Sequence, residues 1–240
     1  MSATTVNKIS AMTVASNTDL TSYPTGSNSP VATSAYLVVC AALRAAGQTA
    51  TPTLAGTNGW NVTWTNRGTV LVNDDLRLTL FSGTTGASTT AGTLTADYGA
   101  ETQEAHGIVT VLLGAANAAP VQVKTGTTTA GTTLALTMDG AFADAWNATL
   151  YILANDATTG GPNNPTDTTM MTVGGQTAAT DGVRVNMWFT PNNLSTYTNP
   201  AVTSSDLAGM LVELDHDGSD VGAAGVGPGR GLVQTGGDIL

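Results

Sequence analysis

The chain has 240 residues, of which 28 are Gly, one is Cys and only 10% are charged, with a formal net charge of -10. Its 7 Lys and Arg lie scattered singly against 17 Asp and Glu, so the clustered cations that release counterions from a polyanion are missing and direct nucleic-acid binding is not expected. The longest mainly apolar run, Ala35 to Leu43, is too short to span a bilayer as a helix. An acidic surface also repels anionic headgroups, and a lone cysteine leaves no disulfide within the chain.

Residues 1–10 carry one Lys and no sustained apolar stretch, unlike a secretory signal, so synthesis in a cytoplasm is expected. The apolar pattern that follows has a period of two rather than 3.6. Val6 to Val14 reads as a first strand, and Tyr23-Pro24-Thr25-Gly26-Ser27-Asn28 as a turn. Tyr36 to Leu43 is apolar on both faces and contains Cys40, which suits a central strand with a small buried thiol. Ala55 to Gly59 is a turn cluster, Thr69 to Val72 a short strand, and Asn73-Asp74-Asp75 a hairpin tip.

Leu76, Leu78 and Leu80 alternate with Arg77, Thr79 and Phe81, the pattern of a half-buried strand, and Gly83 to Gly86 closes it as a turn. Leu94 to Tyr98 is a further strand, and Ile108 to Leu113 is a second run apolar on both faces. Val121 to Lys124 and Thr133 to Met138 are short strands, followed by a weakly helical connector over Asp139 to Asn147. Trp146, Ala148, Leu150 and Ile152 alternate with Asn147, Thr149 and Tyr151. Past the turn at Gly160 to Pro165 come Met170 to Val173 and the alternation of Val183, Val185, Met187 and Phe189 with Arg184, Asn186 and Trp188. A connector at Ser204 to Ala208 precedes a last strand, Met210 to Leu214. Short strands recurring between turn signals predict an all-β fold, an antiparallel two-sheet sandwich over residues 1–215. Residues 216–240 are too rich in glycine to fold alone and form an extended arm, with Leu232, Val233, Ile239 and Leu240 as apolar anchors on a neighbouring copy of the protein.

Several landmarks occur in a telling order: Tyr36-Leu37-Val38-Val39, Thr51-Pro52-Thr53-Leu54, Gly59-Trp60, then Leu76 to Phe81. They continue through Gly92-Thr93-Leu94-Thr95-Ala96-Asp97-Tyr98-Gly99, Thr102-Gln103, Asn147 to Tyr151, and Ala208 to Leu214. This order resembles a family of single-domain β-sandwiches found in structural and tail proteins of tailed bacteriophages. The resemblance covers most of residues 30–215. It implies a jelly-roll-like sandwich that builds or decorates a virion, with copies of itself and other virion proteins as partners, and it transfers no catalytic residues.

No G-x-S-x-G elbow, P-loop, H-E-x-x-H or C-x-x-C is present, so no enzyme is expected. The densest carboxylate pairs are Glu101 with Glu104 and Asp74 with Asp75, and Glu104 shares a strand face with His106, the geometry of a small acid-base pair or of a polar strand end. No cofactor is expected, although Asp215, Asp217 and Asp220 around Gly218 resemble part of an oxygen-ligand Ca²⁺ loop, to which Glu213 could add a ligand. Trp188, on the face opposite Val185 and Met187, is the candidate platform for a glycan or a partner. The readings that follow are a capsid decoration or head-fibre protein of a virion, a carbohydrate-binding or receptor-binding tail module, and a tail-tube or connector subunit.

Overall fold

A computed structural model describes residues 6–16, 18–43, 50–114, 120–144, 147–156 and 183–215, together with the backbone of 171–177. The fold is all-β and antiparallel. Apart from two short 3-10 turns at Ser10–Met12 and Asn58–Trp60, the regular structure of the described residues is strand, and no helix there could cross a membrane. The first half contains β1 (Asn7–Lys8), β2 (Val14–Ser16), β3 (Ser22–Pro24), β4 (Ala35–Leu43), β5 (Thr53–Gly56), β6 (Thr65–Val72), β7 (Leu76–Thr84), β8 (Leu94–Asp97) and β9 (Ala105–Leu112). The second contains β10 (Pro120–Gly131), β11 (Ala135–Thr137), β12 (Ala148–Asn155), β13 (Met171–Thr177), β14 (Arg184–Thr190), β15 (Thr196–Thr198) and β16 (Ser205–Leu214).

The two halves share one connectivity. In the first, β1 and β2 pair with β9, and the sheet continues through β4 and β7 to β6; in the second the order is β10, β16, β12, β14, β13. Each large sheet has a small companion, β3-β8-β5 in the first half and β11-β15 in the second. The opening strand lies beside the closing one, which pairs with the first long central strand. The companion strands pair with each other across the same wrap, which is the double Greek-key path of a jelly roll. One departure is common to both halves: the strand before β7 or β14 hydrogen-bonds to that strand as a hairpin partner at the sheet edge.

Register carries the repeat down to single residues. Val39 sits between Leu80 and Val109, as Ile152 sits between Met187 and Met210; Ala41 sits between Leu78 and Gly107, as Ala154 sits between Val185 and Ala208. Arg77 of β7 and Arg184 of β14 hold equivalent places, and both are buried. Each hairpin also carries a register shift at the same point, between Asn66 and Gly68 in one half and between Thr172 and Gly174 in the other.

The two large sheets pack face to face. Leu37, Val39, Leu78, Leu80, Val109 and Val111 meet Leu150, Ile152, Val185, Met187, Met210 and Val212 in one continuous core. Edge β6 lies beside β10 and edges β1 and β2 beside β13, while β7 covers β16 and β14 covers β9. Exchanging the halves maps these contacts onto one another, so the molecule has a pseudo-two-fold axis through its central core.

The expected sandwich is therefore present, but it is the middle of a four-layer structure. Arg77, Thr79 and Phe81, expected on a solvent face, are 1%, 0% and 4% exposed because the small sheet β3-β8-β5 covers them. Trp188, Tyr151 and Leu153 are likewise covered by β11-β15. Strands β3, β5 and β15 lie in segments expected to be turns or left unassigned, and β16 begins at Ser205 where a connector was expected. The tertiary layer imposes extended structure there that three or four residues could not hold alone. The hairpin tip is as expected, with Asn73 and Asp74 at φ 51° and 59°, the left-handed pair that a tight β-hairpin needs.

Ile152 lies on the central strand of its sheet, fully buried in the shared core. Ile152→Ala is expected to lower unfolding free energy by about 3–4 kcal/mol in urea titrations. A loss near 1 kcal/mol would show that the sheets do not pack as one core.

Candidate functional site

Chemistry-bearing side chains gather in two places. The first is buried between the first large sheet and its small companion. Alternation along β9 turns His106 outward from the central core, and the companion sheet brings Tyr23 and Tyr98 onto it. The Tyr23 ring stacks on the imidazole at 4.3 Å and 7°, and Tyr98 stands edge-on to it with its Oη 3.0 Å from Nε2. Tyr23 Oη in turn donates to the Gln103 carbonyl at 2.7 Å. Beside this group Arg77 Nη1 donates to the Ala50 carbonyl, and Glu101 accepts from the Ala50 amide at 2.7 Å.

Desolvation governs the charge state of the cluster. Desolvation pushes His106 down to about 3 and Cys40 up to about 12, and holds Tyr98 well above the ordinary phenol value. At neutral pH all three are uncharged, and none reaches solvent. The cluster packs the cap onto the sheet, with each of its titratable groups held in the uncharged form. Glu104 lies exposed before β9 and His106 is directed to Tyr98, so the face-sharing pair considered from sequence is not formed.

The second place is a recess of about 200 Å³ lined by Ala35, Thr63, Thr65, Arg67, Ser82, Gly83 and Thr84. It opens where the start of β4, the end of β7 and the start of β6 lie side by side. The bulge between Asn66 and Gly68 gives Arg67 a place outside the regular alternation, and its Nε donates to Ser82 Oγ at 2.7 Å. From sequence alone Arg67 is one more scattered cation. The readable signal was Gly68 beside it, since a glycine inside a strand marks a bulge.

The remaining sequence candidates separate. Trp188 is 1% exposed, tilted against Tyr151 and Tyr197 under the β11-β15 cap. The alternation that set it opposite Val185 and Met187 was sound, but that face belongs to a core, so the indole is no surface platform for a sugar. Asp215 is exposed, while Asp217 and Asp220 lie outside the described residues, as do Leu232, Val233, Ile239 and Leu240. Glu213 does not turn toward Asp215. Its fully buried carboxylate accepts from Gln122 Nε2, the Ala143 amide and Asn147 Nδ2, clasping those residues to β16.

Asp75, Asp156 and Asp206 approach one another at the hairpin end of the core. Burial raises the pKa of Asp75 and of Asp156, and the Asp206 charge adds to both. Asn73 Nδ2 and the Ala130 amide donate to Asp206, whose own amide donates to Asp156. No group of three His, Cys, Asp or Glu among the described residues is placed to hold a metal ion.

Comparison with known proteins finds no matching family model, no similar curated protein and no similar solved structure. The likeness to phage sandwiches rests on the order of short motifs alone.

Two measurements check the buried cluster. Because His106 titrates near 3 in the fold and about 6.5 when unfolded, the folded state binds fewer protons between those values. Stability is then complete above about pH 6.5 and falls by about 1.4 kcal/mol per pH unit below it. Asp75 and Asp156 oppose this trend, so the quantity to read is the difference between wild type and His106→Gln in urea titrations from pH 7 to pH 4. A pH-independent difference would place His106 in contact with solvent. Cys40 should resist a thiol reagent at pH 8 until the chain is unfolded, and labelling of the native protein within seconds would contradict its burial.

Proposed function

We propose that the chain is a structural protein of a bacteriophage particle, a decoration or head-fibre component on the capsid that packs against copies of itself and other virion proteins. The observation that carries this reading is the duplicated jelly roll fused about a pseudo-two-fold axis. Jelly-roll sandwiches serve as capsid and lectin domains, and a symmetric block with capped outer faces is suited to repetitive lateral contacts. A chain with only 10% charged residues also permits close packing of neighbours with little desolvation of charge. The inert state of its buried His, Cys and Tyr cluster favours assembly over catalysis.

In this reading residues 217–240 form the inter-subunit arm, with Leu232, Val233, Ile239 and Leu240 as its anchors. The sixteen strands of the described residues end by Leu214, so removing 217–240 should move the thermal midpoint of the monomer by less than about 2 °C. Self-association measured by light scattering should weaken by about tenfold or more. Mass spectrometry and immunogold labelling of purified phage particles that carry the gene should find the protein on the capsid. Absence from particles, together with a chain that stays monomeric at all concentrations, would end the reading.

A further inference from the structure

The internal repeat supplies a built-in comparison for the Arg67 recess. Ser82 faces Leu37 across β4 and β7, the place that Phe189 holds opposite Leu150 in the second half. Phe189 is 1% exposed and fills the shared core; Ser82 is a much smaller group, and the space beside it is the recess. The two hairpins share the same bulge, but the residue at its centre is Arg67 in one half and Val173 in the other. A common frame has thus been opened at one position and given a cation at another, and the two changes meet in a single hydrogen bond from Arg67 to Ser82. Core stability needs neither change, since the second half closes the same position with an aromatic ring.

The chemistry of the lining selects an occupant. Ser82 engages Nε, and among the described residues the terminal edge of the Arg67 guanidinium has no partner. That planar fork matches one carboxylate. Around it Thr63, Thr65 and Thr84 are exposed and form no hydrogen bond through their hydroxyls within the described residues, offering both donors and acceptors. A sugar ring requires that mixture, because each of its hydroxyls donates and accepts. A cavity near 200 Å³ is smaller than the range of about 300–1,000 Å³ that suits drug-sized ligands, so it has room for one ring. A single guanidinium and a net charge of -10 disfavour a dianion such as phosphate, which would meet more long-range repulsion for the same one cation.

We propose that the Arg67 recess binds the carboxylated sugar residue of an acidic glycan, with Arg67 on the carboxylate and the hydroxyls of Thr63, Thr65 and Thr84 on the ring. The site stands apart from the assembly role and survives its failure. The test is an NMR titration of the full chain with glucuronate, galacturonate and N-acetylneuraminate, against glucose, acetate and inorganic phosphate. At least one acidic sugar should bind with a Kd on the order of a millimolar, as one ion pair and a few hydrogen bonds to a small ligand allow. Glucose, acetate and phosphate should each bind about tenfold more weakly or not at all.

Arg67→Gln and Ser82→Phe should each abolish binding, the second by filling the recess with the side chain that the other half uses; Arg67→Lys should weaken it by losing the fork. Thermal melts establish that each variant is folded, and Arg67→Gln alters only an exposed side chain, so it serves even if Ser82→Phe does not fold. Absence of binding by every acidic sugar up to tens of millimolar would overturn the proposal. So would equal binding by Arg67→Gln, or binding of acetate or phosphate as tight as that of the sugars.

Discussion

The fold depends on the mutual burial of two inner sheet faces. Strands β4, β9, β12 and β16 are rich in apolar side chains and buried on both sides, so a sheet built from them needs cover on each face. Pairing the sheets satisfies one face of each, and the outer face then needs its own cover. In the first half β3-β8-β5 provides it, with Tyr23, Trp60, Leu94 and Tyr98 on Tyr36, Val38, Cys40 and Ile108. In the second, Leu134, Leu136, Met138 and Tyr197 from β11-β15 and its flanks cover Tyr151, Leu153 and Trp188. The four layers, and with them both caps, follow from the need to cover each sheet on two faces.

The halves keep one frame and differ in what they pack into it. His106 and Leu207 hold equivalent places, as do Cys40 and Leu153, Ile108 and Gly209. The first half sets His106 and Cys40 among the aromatic side chains of its cap layer; the second sets Leu207 and Leu153 at those places beside its own aromatics and makes room at Gly209. A Cβ on Gly209 would come within 2.7 Å of Leu134 and 3.2 Å of the Tyr151 hydroxyl, so the glycine is what lets the shorter cap settle on the sheet.

Much of the frame was legible in the sequence because alternation is a property of faces. The long strands, the buried Cys40 and the Asn73-Asp74 hairpin could all be read from it. The caps could not. Strand β3 contains Pro24, β5 ends at Gly56, and β15 is three residues of Thr and Tyr, all of which carry turn or neutral signals until a sheet lies beneath them. The same omission made Arg77 and Trp188 read as facing outward, since nothing local states that a second layer lies over a polar face. The duplication was hidden for a related reason: pairs such as Val39 with Ile152 and Phe81 with Trp188 conserve a face and a volume class, and hardly any letters. Of the sites, the Asp215 loop and the Trp188 platform were read from composition and isolated residue type, whereas the Arg67 recess depends on a bulge and on a missing aromatic that only the repeat makes visible.

Burial and chemistry are divided across the molecule in a consistent way. Groups with intrinsic reactivity, Cys40, His106 and Tyr98, lie where desolvation suppresses their charged forms. The lining of the recess is mostly Thr and Ser hydroxyls with one guanidinium, groups that form hydrogen bonds readily. A surface of that kind offers both donors and acceptors to whatever enters it. The four-layer frame matters for that lining, because the bulge aims Arg67 only while β6 and β7 remain in register.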